Sequence, residues 1–295
     1  NGNGLVITGR TAANYGNVGL NAVDLGYSAS ASTTIGATAI YSNVLGGYNN
    51  TASGGYSTVS GGYANTDSGT YGNVISGGEN NSTSGTNVTV AGGFDNTASG
   101  NYSTISGGGS NTTTSGYYNT IGGGASNTTT TAFYSTIGGG GVNTASGQYA
   151  TIGGGSNNTA SADYSTIGGG GENTASSQYA TIGGGSNNTA SADYSIIGGG
   201  GFNTASGYYS TIGGGSNNTA SGLFTAINGG HFNTVDGNYS TISGGYGNTA
   251  SGEYATVGGQ GNTAGDGETV FGQYATVGTA RAFAIGAGTV GTPSN

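Results

Sequence analysis

The sequence contains no cysteine, methionine, tryptophan or lysine, and among its 295 residues it has one proline, one histidine and two arginines. Without cysteine and with His231 as its one histidine, a single chain cannot build a zinc site from His and Cys ligands. Thiol and thioether oxidation chemistry is excluded as well. These absences suit a protein that works outside the cell, and we expect no cofactor.

The charge is low in amount and negative in sign. Charged residues make up 4% of the chain and the net charge is −9, whereas an ordinary soluble domain carries about 25% charged residues. Nucleic-acid binding is excluded because phosphate recognition needs Lys and Arg, and an electrostatic partnership with anionic lipid fails for the same reason.

No apolar run approaches the roughly 18 residues of a membrane helix, so we expect no membrane span in this chain. The chain also starts at Asn1 and shows no signal peptide. We interpret it as a processed product or a fragment of a secreted protein, located extracellularly or on a cell or virion surface.

What the sequence does contain is 69 glycines, 21 tyrosines and one period that runs through most of its length. An aliphatic residue precedes each glycine cluster and serves as an anchor, and successive anchors are mostly fifteen residues apart. The anchors are Leu45, Val59, Ile75, Val90, Ile105, Ile121, Ile137, Ile152, Ile167, Ile182, Ile197, Ile212, Ile227, Ile242 and Val257. A tandem repeat of this length is the signature of a solenoid.

The commonest unit reads Tyr-Ser-Thr-Ile-Gly-Gly-Gly-Ser-Asn-Asn-Thr-Ala-Ser-Gly plus one variable residue. The runs Tyr-Ser-Thr-Ile and Asn-Thr-Ala-Ser alternate in polarity between turn residues, which predicts two short strands per coil. A helix is excluded because each glycine would cost about 1 kcal/mol relative to alanine. We therefore predict an all-β parallel β-solenoid, or β-roll, whose coils stack about 4.8 Å apart.

Three segments follow from the strength of the repeat. Residues 31–264 form the solenoid array, residues 1–30 are an N-terminal cap or divergent coils, and residues 265–295 are divergent C-terminal coils. Weaker coils are expected around Ile35, Phe271 and Ile285.

Two columns of glycine and asparagine accompany the anchors. Glycine stands two residues past the anchor, for example at Gly47, Gly61, Gly92, Gly107, Gly154, Gly214 and Gly259, which indicates positive φ or close backbone approach. Asparagine stands six residues past the anchor and is predicted to form a hydrogen-bonded amide ladder. Its members include Asn65, Asn81, Asn96, Asn111, Asn127, Asn143, Asn158, Asn173, Asn188, Asn203, Asn218, Asn233 and Asn248.

An aromatic column stands three residues before the anchor. It consists of Tyr102, Tyr118, Tyr134, Tyr149, Tyr164, Tyr179, Tyr194, Tyr209, Phe224, Tyr239 and Tyr254. Strand alternation would place each Tyr and the following Thr outside, with Ser or Ala and the anchor inside. Such a row is unusually apolar for a monomer surface. It could be a self-supporting stack, an interface between copies of the chain or a glycan-binding stripe.

The unit Asn-Thr-Ala-Ser-Gly-x-Tyr-Ser-Thr-Ile-Gly resembles the head repeat of YadA-like trimeric autotransporter adhesins, and similar repeats occur in phage and viral fibres. The nearest local match is Ala282-Phe283-Ala284-Ile285-Gly286-Ala287-Gly288. The resemblance implies a left-handed parallel β-roll, a homotrimer and adhesion to host or environmental surfaces. The sequence departs from that family in its period of fifteen rather than fourteen and in its Tyr at the strand start.

Candidates for catalysis are few, and we predict that the chain is not an enzyme. Ser-His-Asp chemistry would have to use His231, which we interpret as a turn substitution. Asp163 and Asp193 share a column with Gln148 and Gln178 and would lie roughly 10 Å apart by strand spacing. Inverting glycosidases use carboxylates at about that separation, but repeat duplication explains the spacing equally well.

The leading hypothesis is an extracellular structural or adhesive fibre segment that mediates surface attachment, with copies of itself and a surface or glycan as partners. An end-to-end filament subunit or a phage or viral tail fibre is the alternative in the same class, because open solenoid ends invite polymerisation. An ice- or polysaccharide-binding solenoid with a Thr-rich face is the alternative in another class.

Overall fold

A computed structural model describes residues 5–6, 18–27, 35–130, 132–275 and 283–287. Every regular element in these residues is a β-strand, and every pairing between strands is parallel, so the predicted all-β parallel solenoid is confirmed. The chain divides into two compact units, residues 1–149 and 150–295. Most strands have only two residues because glycine and asparagine turns follow at once.

In unit 1 the strands alternate between two sheets, here called sheet A and sheet B. Sheet A contains β1 Leu5–Val6, β2 Val23–Asp24, β4 Asn43–Val44, β6 Thr58–Val59, β8 Val74–Ile75, β10 Thr89–Val90, β12 Thr104–Ile105, β14 Thr120–Ile121 and β16 Thr136–Ile137. Sheet B contains β3 Gly36–Ala37, β5 Thr51–Ala52, β7 Thr66–Asp67, β9 Ser82–Thr83, β11 Thr97–Ala98, β13 Thr112–Thr113, β15 Thr128–Thr129 and β17 Thr144–Ala145.

Unit 2 repeats the arrangement. Its sheet A strands are β18 Thr151–Ile152, β20 Thr166–Ile167, β22 Thr181–Ile182, β24 Ile196–Ile197, β26 Thr211–Ile212, β28 Ala226–Ile227, β30 Thr241–Tyr246, β32 Thr256–Gln260, β34 Thr269–Gln273 and β35 Phe283–Ala287. Its sheet B strands are β19 Thr159–Ala160, β21 Thr174–Ala175, β23 Thr189–Ala190, β25 Thr204–Ala205, β27 Thr219–Ala220, β29 Thr234–Val235, β31 Thr249–Ala250 and β33 Thr263–Ala264.

Each coil buries one residue from each of four columns, so the interior is thin, as the repeat predicts. In one coil of unit 2 these are Ile182 from sheet A, Ala190 from sheet B, Ala180 from the turn and Asn188 between the sheets, all 0% exposed. One Ile and a few small residues bury little apolar area per coil. Since burial stabilises the fold by about 25 cal/mol per Å² of apolar area, the hydrophobic contribution of each coil is small. Hydrogen bonds between the strands and from the buried asparagine amides therefore contribute a large share of the stability of each coil.

Strand register corrects four anchors. Val59 pairs with Val44, which is buried, while Leu45 is 48% exposed. Near the C-terminus Ala284 pairs with Val270 and occupies the anchor column. The predicted anchor, Ile285, lies one residue further along the strand and is 72% exposed. In each pair the sequence offers two adjacent candidates, and the period alone does not decide which one faces inward.

The other two corrected anchors are Phe271 and Ile35. Phe271 pairs with Gly258, one residue beyond the anchor column. Ile35 immediately precedes β3, whose Gly36 pairs with Thr51 of sheet B, so it takes the place of the interior asparagine rather than of an anchor. The predicted coils exist near these positions, but their inward residues differ.

The predicted strand Tyr-Ser-Thr-Ile is also wrong at its first two residues. Tyr164 lies in a turn that the Ser165 N–H closes by donating to the Ala162 carbonyl at 3.2 Å, and it has a φ of 59°. The strand begins two residues later, at Thr166. A second turn in each coil also has positive φ, at a variable position that includes Asn157 and Val142. Each coil therefore turns through left-handed residues that the alternation pattern does not reveal.

Replacing Val142 by asparagine is expected to stabilise the fold by about 1 kcal/mol, because a left-handed backbone is costly for a β-branched residue and tolerated by asparagine. Val142 has a φ of 57° and is 56% exposed, so little packing is lost. The reciprocal change Asn157→Val, at φ 56°, should destabilise by a similar amount. Thermal unfolding of both variants checks this, and a stabilised Asn157→Val would refute the strain argument.

The glycine column that the structure requires lies one residue later than the predicted column. Gly184, two residues past its anchor, could carry a Cβ with nothing within 4 Å. Gly185, three residues past, has a φ of 90°, and a Cβ there would collide with the Gly200 carbonyl of the next coil. The prediction of positive φ or close approach is right at Gly92 and Gly107, which have a φ of 152° and 145°, and at Gly47, where a Cβ would meet the next coil, whereas Gly61, Gly154 and Gly214 show neither feature. Gly259 does show the close approach, because its coil is one residue shorter and it pairs with Gly245.

Candidate functional site: a ladder of exposed tyrosines

The aromatic column forms stacks of rings on the surface of each unit. In unit 1, Tyr102, Tyr118, Tyr134 and Tyr149 follow one another with ring centroids 5.0, 5.0 and 5.1 Å apart and planes within 14° of parallel. Tyr41 and Tyr56 occupy the same turn position in earlier coils and stack at 4.8 Å. We call these rings and those of unit 2 the tyrosine ladder.

In unit 2 the ladder runs from Tyr164 to Tyr254 with centroid distances between 4.6 and 5.4 Å. Its exposure ranges from 38% at Tyr179 to 61% at Tyr254, with Tyr194 half-buried. Since stacked neighbours cover the ring faces, the ladder presents ring edges and hydroxyl groups outward. It suits contact with a surface better than stacking on a planar ligand.

Backbone hydrogen bonds fix the spacing of the ladder. The N–H of Tyr179 donates to the Asp163 carbonyl at 3.1 Å, and that of Tyr194 to the Gln178 carbonyl at 3.0 Å. Each ladder residue is thus tied to the coil before it in the same way. The left-handed turn costs about 1–2 kcal/mol for a non-glycine residue, and offset aromatic stacking at 0.5–1.5 kcal/mol per pair offsets much of that cost.

Tyr208 adds a ring that lies across the ladder. It meets Tyr209 with centroids 4.6 Å apart and planes at 89°. Partial burial among the rings raises the pKa of Tyr208 above 10.0, and the negative charges of Tyr209, Tyr194 and Asp193 would raise it further. Burial, followed by Tyr209, Tyr179 and Asp193, also raises the pKa of Tyr194. Both hydroxyls therefore stay protonated at neutral pH.

The raised pKa values predict loss of stability at alkaline pH. The unfolded chain releases these phenol protons near pH 10 and the folded chain only at higher pH, so folding is favoured fully below about pH 10 and less as pH rises beyond it. Thermal unfolding between about pH 8 and 11 should show this decline. The double variant Tyr194→Phe, Tyr208→Phe should decline less steeply, and equal slopes would contradict the assignment.

The interior asparagines form hydrogen-bonded ladders within each unit. Asn188 donates through Nδ2 to Asn173 Oδ1 at 3.1 Å and to the carbonyls of Gly184 and Gly200 at 3.1 and 3.0 Å. Its Oδ1 accepts the N–H of Asn203 at 3.0 Å. These amides donate to glycine carbonyls of the turns, of which that of Gly200 also accepts the Ser186 N–H at 2.9 Å, so their role is structural.

The candidate carboxylates Asp163 and Asp193 lie in turns at equivalent positions two coils apart. Asp193 Oδ1 accepts the N–H of Gln178 at 3.1 Å, and Asn238 accepts that of Leu223 at 2.9 Å in the same way. An Asp or Asn here satisfies a turn N–H of the preceding coil, which explains its recurrence without catalysis.

His231 contacts a serine, which nucleophilic catalysis would require. Ser216 Oγ lies 2.6 Å from its Nδ1, and its ring stacks on Tyr246 at 5.7 Å. Within the described residues no hydrogen bond joins His231 to a carboxylate, so the arrangement lacks the group that orients the base in a triad. We therefore keep the interpretation of His231 as a substitution in a turn.

Asp67 is a structural residue that the sequence analysis missed. It is fully buried in β7, at a position where other coils have Ala, Thr or, at Val235, Val. Its carboxylate accepts hydrogen bonds from the Gly54 N–H at 2.9 Å, Asn73 Nδ2 at 2.7 Å and Thr83 Oγ1 at 2.9 Å. A carboxylate in a column that otherwise holds Ala, Thr and Val is the signal that could have identified it.

Sheet B presents a second repetitive surface, lined with hydroxyl groups. In unit 2 an unbroken row of threonines lies in register, from Thr159 to Thr263. Exposed serines two residues further on, from Ser161 to Ser251, form a parallel row in which Asp236 replaces one serine. The rings of the tyrosine ladder lie in the turns and not on this face.

Comparison with known proteins finds no family model that matches the chain and no match among curated proteins. Within the described residues there is no helix long and apolar enough to span a membrane. The same residues contain no group of three or more His, Asp or Glu side chains positioned to hold a metal ion. The candidate site therefore rests on the two repetitive surfaces.

Proposed function

We propose that the chain is an extracellular, non-catalytic fibre segment that mediates surface attachment, and that its copies associate through the tyrosine ladder. The observation that carries this proposal is the exposure of a regular aromatic ladder over a thin interior. A monomer rarely leaves so extended an apolar surface in water. Aromatic residues, Tyr among them, are enriched where proteins associate.

The energetics favour association through the ladder. Burying about 60 Å² of each ring contributes on the order of 1.5 kcal/mol per ring, and the contribution repeats with every coil. Stacking already fixes the rings, so little side-chain entropy is lost on contact. The low charge of the chain adds little repulsion between copies per unit length.

The resemblance to YadA-like head repeats supports a left-handed homotrimer and attachment to a host or environmental surface or glycan. An end-to-end filament or a phage or viral tail fibre remains the alternative in the same class. Electron microscopy separates them, since the filament gives long polymers and the trimer gives short particles. A location outside the cell or on a cell or virion surface follows from either.

Attachment is tested with beads coated with the full chain and offered a panel of cells, matrix proteins, polysaccharides and abiotic surfaces. The variant Tyr164→Ser, Tyr179→Ser, Tyr194→Ser weakens the ladder, and the variant Thr159→Ser, Thr174→Ser, Thr189→Ser is the matched control. We expect retention by at least one surface and a several-fold loss with the ladder variant alone. Uniform absence of retention would overturn the proposal.

A second candidate is an ice- or polysaccharide-binding solenoid, favoured by the hydroxyl rows of sheet B. The rings of the tyrosine ladder lie in turns, so they do not obstruct that face. Thr189→Tyr should abolish thermal hysteresis or binding to a crystalline polysaccharide, whereas Thr181→Tyr on sheet A should not. A wild-type chain without either activity removes this candidate.

A further inference from the structure

The tyrosine ladder combines two features that bear on oxidation. The chain has no Cys, Met or Trp, so the side chains that usually react first with one-electron oxidants are missing, and tyrosine is left as the main target. Twelve of its 21 tyrosines stand in the ladder, where most rings are more than a third exposed. Oxidising equivalents that reach this protein must therefore act largely on tyrosine, and more than half of its tyrosines stand in the ladder.

The geometry of the ladder sets which carbons are accessible. Neighbouring rings cover one another's faces, as at Tyr194 and Tyr209 with centroids 4.6 Å apart and planes 2° from parallel. The ring edges, which carry the hydroxyl and its two ortho carbons, remain outward. Burial raises the pKa of Tyr194, so the group that meets an oxidant at neutral pH is the intact phenol.

We propose that the tyrosine ladder is a site of oxidative cross-linking, at which a peroxidase and hydrogen peroxide join two copies of the chain through dityrosine bonds. The place of contact rests on the proposed association of copies through this face. Coupling between copies is favoured over coupling within a chain because neighbouring rings of one ladder lie face to face, as at Tyr194 and Tyr209 with planes 2° from parallel, whereas a bond between ortho carbons joins two rings edge to edge. Edges on two facing ladders have no such restraint.

The chemistry balances with hydrogen peroxide as the oxidant. Each of two tyrosines gives up one hydrogen atom, the electron and proton of its O–H bond, and becomes a phenoxyl radical. The two radicals form one bond between ring carbons ortho to oxygen, and each ring then transfers its ortho hydrogen to its own oxygen. One hydrogen peroxide, cleaved at its O–O bond by the peroxidase, accepts both hydrogen atoms and leaves as two water molecules.

Phe224 interrupts the reactive rings of unit 2 without breaking the stack. It lies 5.1 Å from Tyr209 and 5.4 Å from Tyr239 with nearly parallel planes, but it has no hydroxyl and cannot give a phenoxyl radical. It also shows that the ladder accommodates phenylalanine. Tyr-to-Phe changes should therefore remove the chemistry and keep the fold.

The test oxidises the full-length chain with a haem peroxidase and limiting hydrogen peroxide. Dityrosine fluorescence, covalent multimers on denaturing gels and mass spectrometry of peptides cleaved at aspartate are the readouts. The ladder variant replaces by phenylalanine Tyr41, Tyr56, Tyr102, Tyr118, Tyr134, Tyr149, Tyr164, Tyr179, Tyr194, Tyr209, Tyr239 and Tyr254. The control variant replaces the other nine, Tyr15, Tyr27, Tyr48, Tyr63, Tyr71, Tyr117, Tyr208, Tyr246 and Tyr274.

We expect the ladder variant to form at least ten-fold less covalent multimer and the control variant to stay within two-fold of wild type. If exposure alone decided the outcome, the two variants would lose similar amounts, because several control tyrosines, such as Tyr27 at 61%, are at least as exposed as the ladder rings. Equal losses would overturn the proposal, as would wild-type cross-links that map outside the ladder.

Light scattering before oxidation separates this proposal from the proposed function. A monomeric chain whose ladder tyrosines still cross-link on collision would refute association through the ladder and support the cross-linking site. A trimer whose ladder tyrosines do not couple would support association of copies and refute the cross-linking site. Mass spectrometry of the wild-type product decides the site even if a variant folds poorly.

Discussion

Asn188→Ala is expected to destabilise the fold by about 3 kcal/mol or more. Asn188 is fully buried, and its amide bonds Asn173, Asn203 and two glycine carbonyls. Truncation removes the hydrogen-bond partners of the Asn203 N–H and of the Gly184 carbonyl, and each unsatisfied buried group costs about 1–3 kcal/mol. Thermal and denaturant unfolding measure the loss.

The neighbouring residue supplies the control for that substitution. Asn187 also precedes a strand, but it lies in a left-handed turn with a φ of 57° and is not fully buried. Asn187→Gly preserves this backbone conformation and should change stability by no more than about 0.5 kcal/mol. Comparable losses in the two variants would show that the interior amides do not hold the coils together.

Gly185→Ala is expected to have an effect of similar size for a different reason. The φ of 90° is unfavourable for any residue with a Cβ, which costs about 1–3 kcal/mol. The added Cβ would also collide with the Gly200 carbonyl of the next coil, so adjacent coils must separate. We expect a fall of about 3 kcal/mol or more in stability, with increased hydrogen exchange in the two coils concerned.

Gly184→Ala is the matched control, one residue away. Nothing lies within 4 Å of a Cβ at Gly184, so stability should stay within about 0.5 kcal/mol of wild type. If Gly184→Ala were as damaging as Gly185→Ala, glycine would be required here for general flexibility and not for one close approach.

Much of the fold can be predicted from the sequence because the repeat is strict. The fifteen-residue period, the inward Ile and Asn columns and the parallel stacking all follow from columns of one residue type. The anchor is ambiguous only where two apolar residues adjoin, as at Val44 and Leu45, and there the period permits either choice. Register depends on which side chain fits the interior, and two-residue strands give alternation too little length to decide it.

The turns and the site are less predictable for physical reasons. Tyrosine is a strong strand former, so Tyr164 in a left-handed turn contradicts its own propensity, and ring stacking between coils is a property of the assembled solenoid. The aromatic column and its outward side are predicted from the sequence, but the left-handed turn that holds its rings is not. Asp67 is equally unexpected, because a buried carboxylate requires donors from three coils that only the folded chain brings together.

The absolute mass of the purified chain, measured by light scattering after size exclusion, tests most directly whether the tyrosine ladder is an interface. The proposed association predicts about three times 28.1 kDa for the wild type. It also predicts a lower mass for the variant Tyr164→Ser, Tyr179→Ser, Tyr194→Ser and an unchanged mass for the matched threonine variant. A mass of 28.1 kDa for the wild type across the accessible concentrations would contradict it and leave the ladder as a solvent-exposed stack.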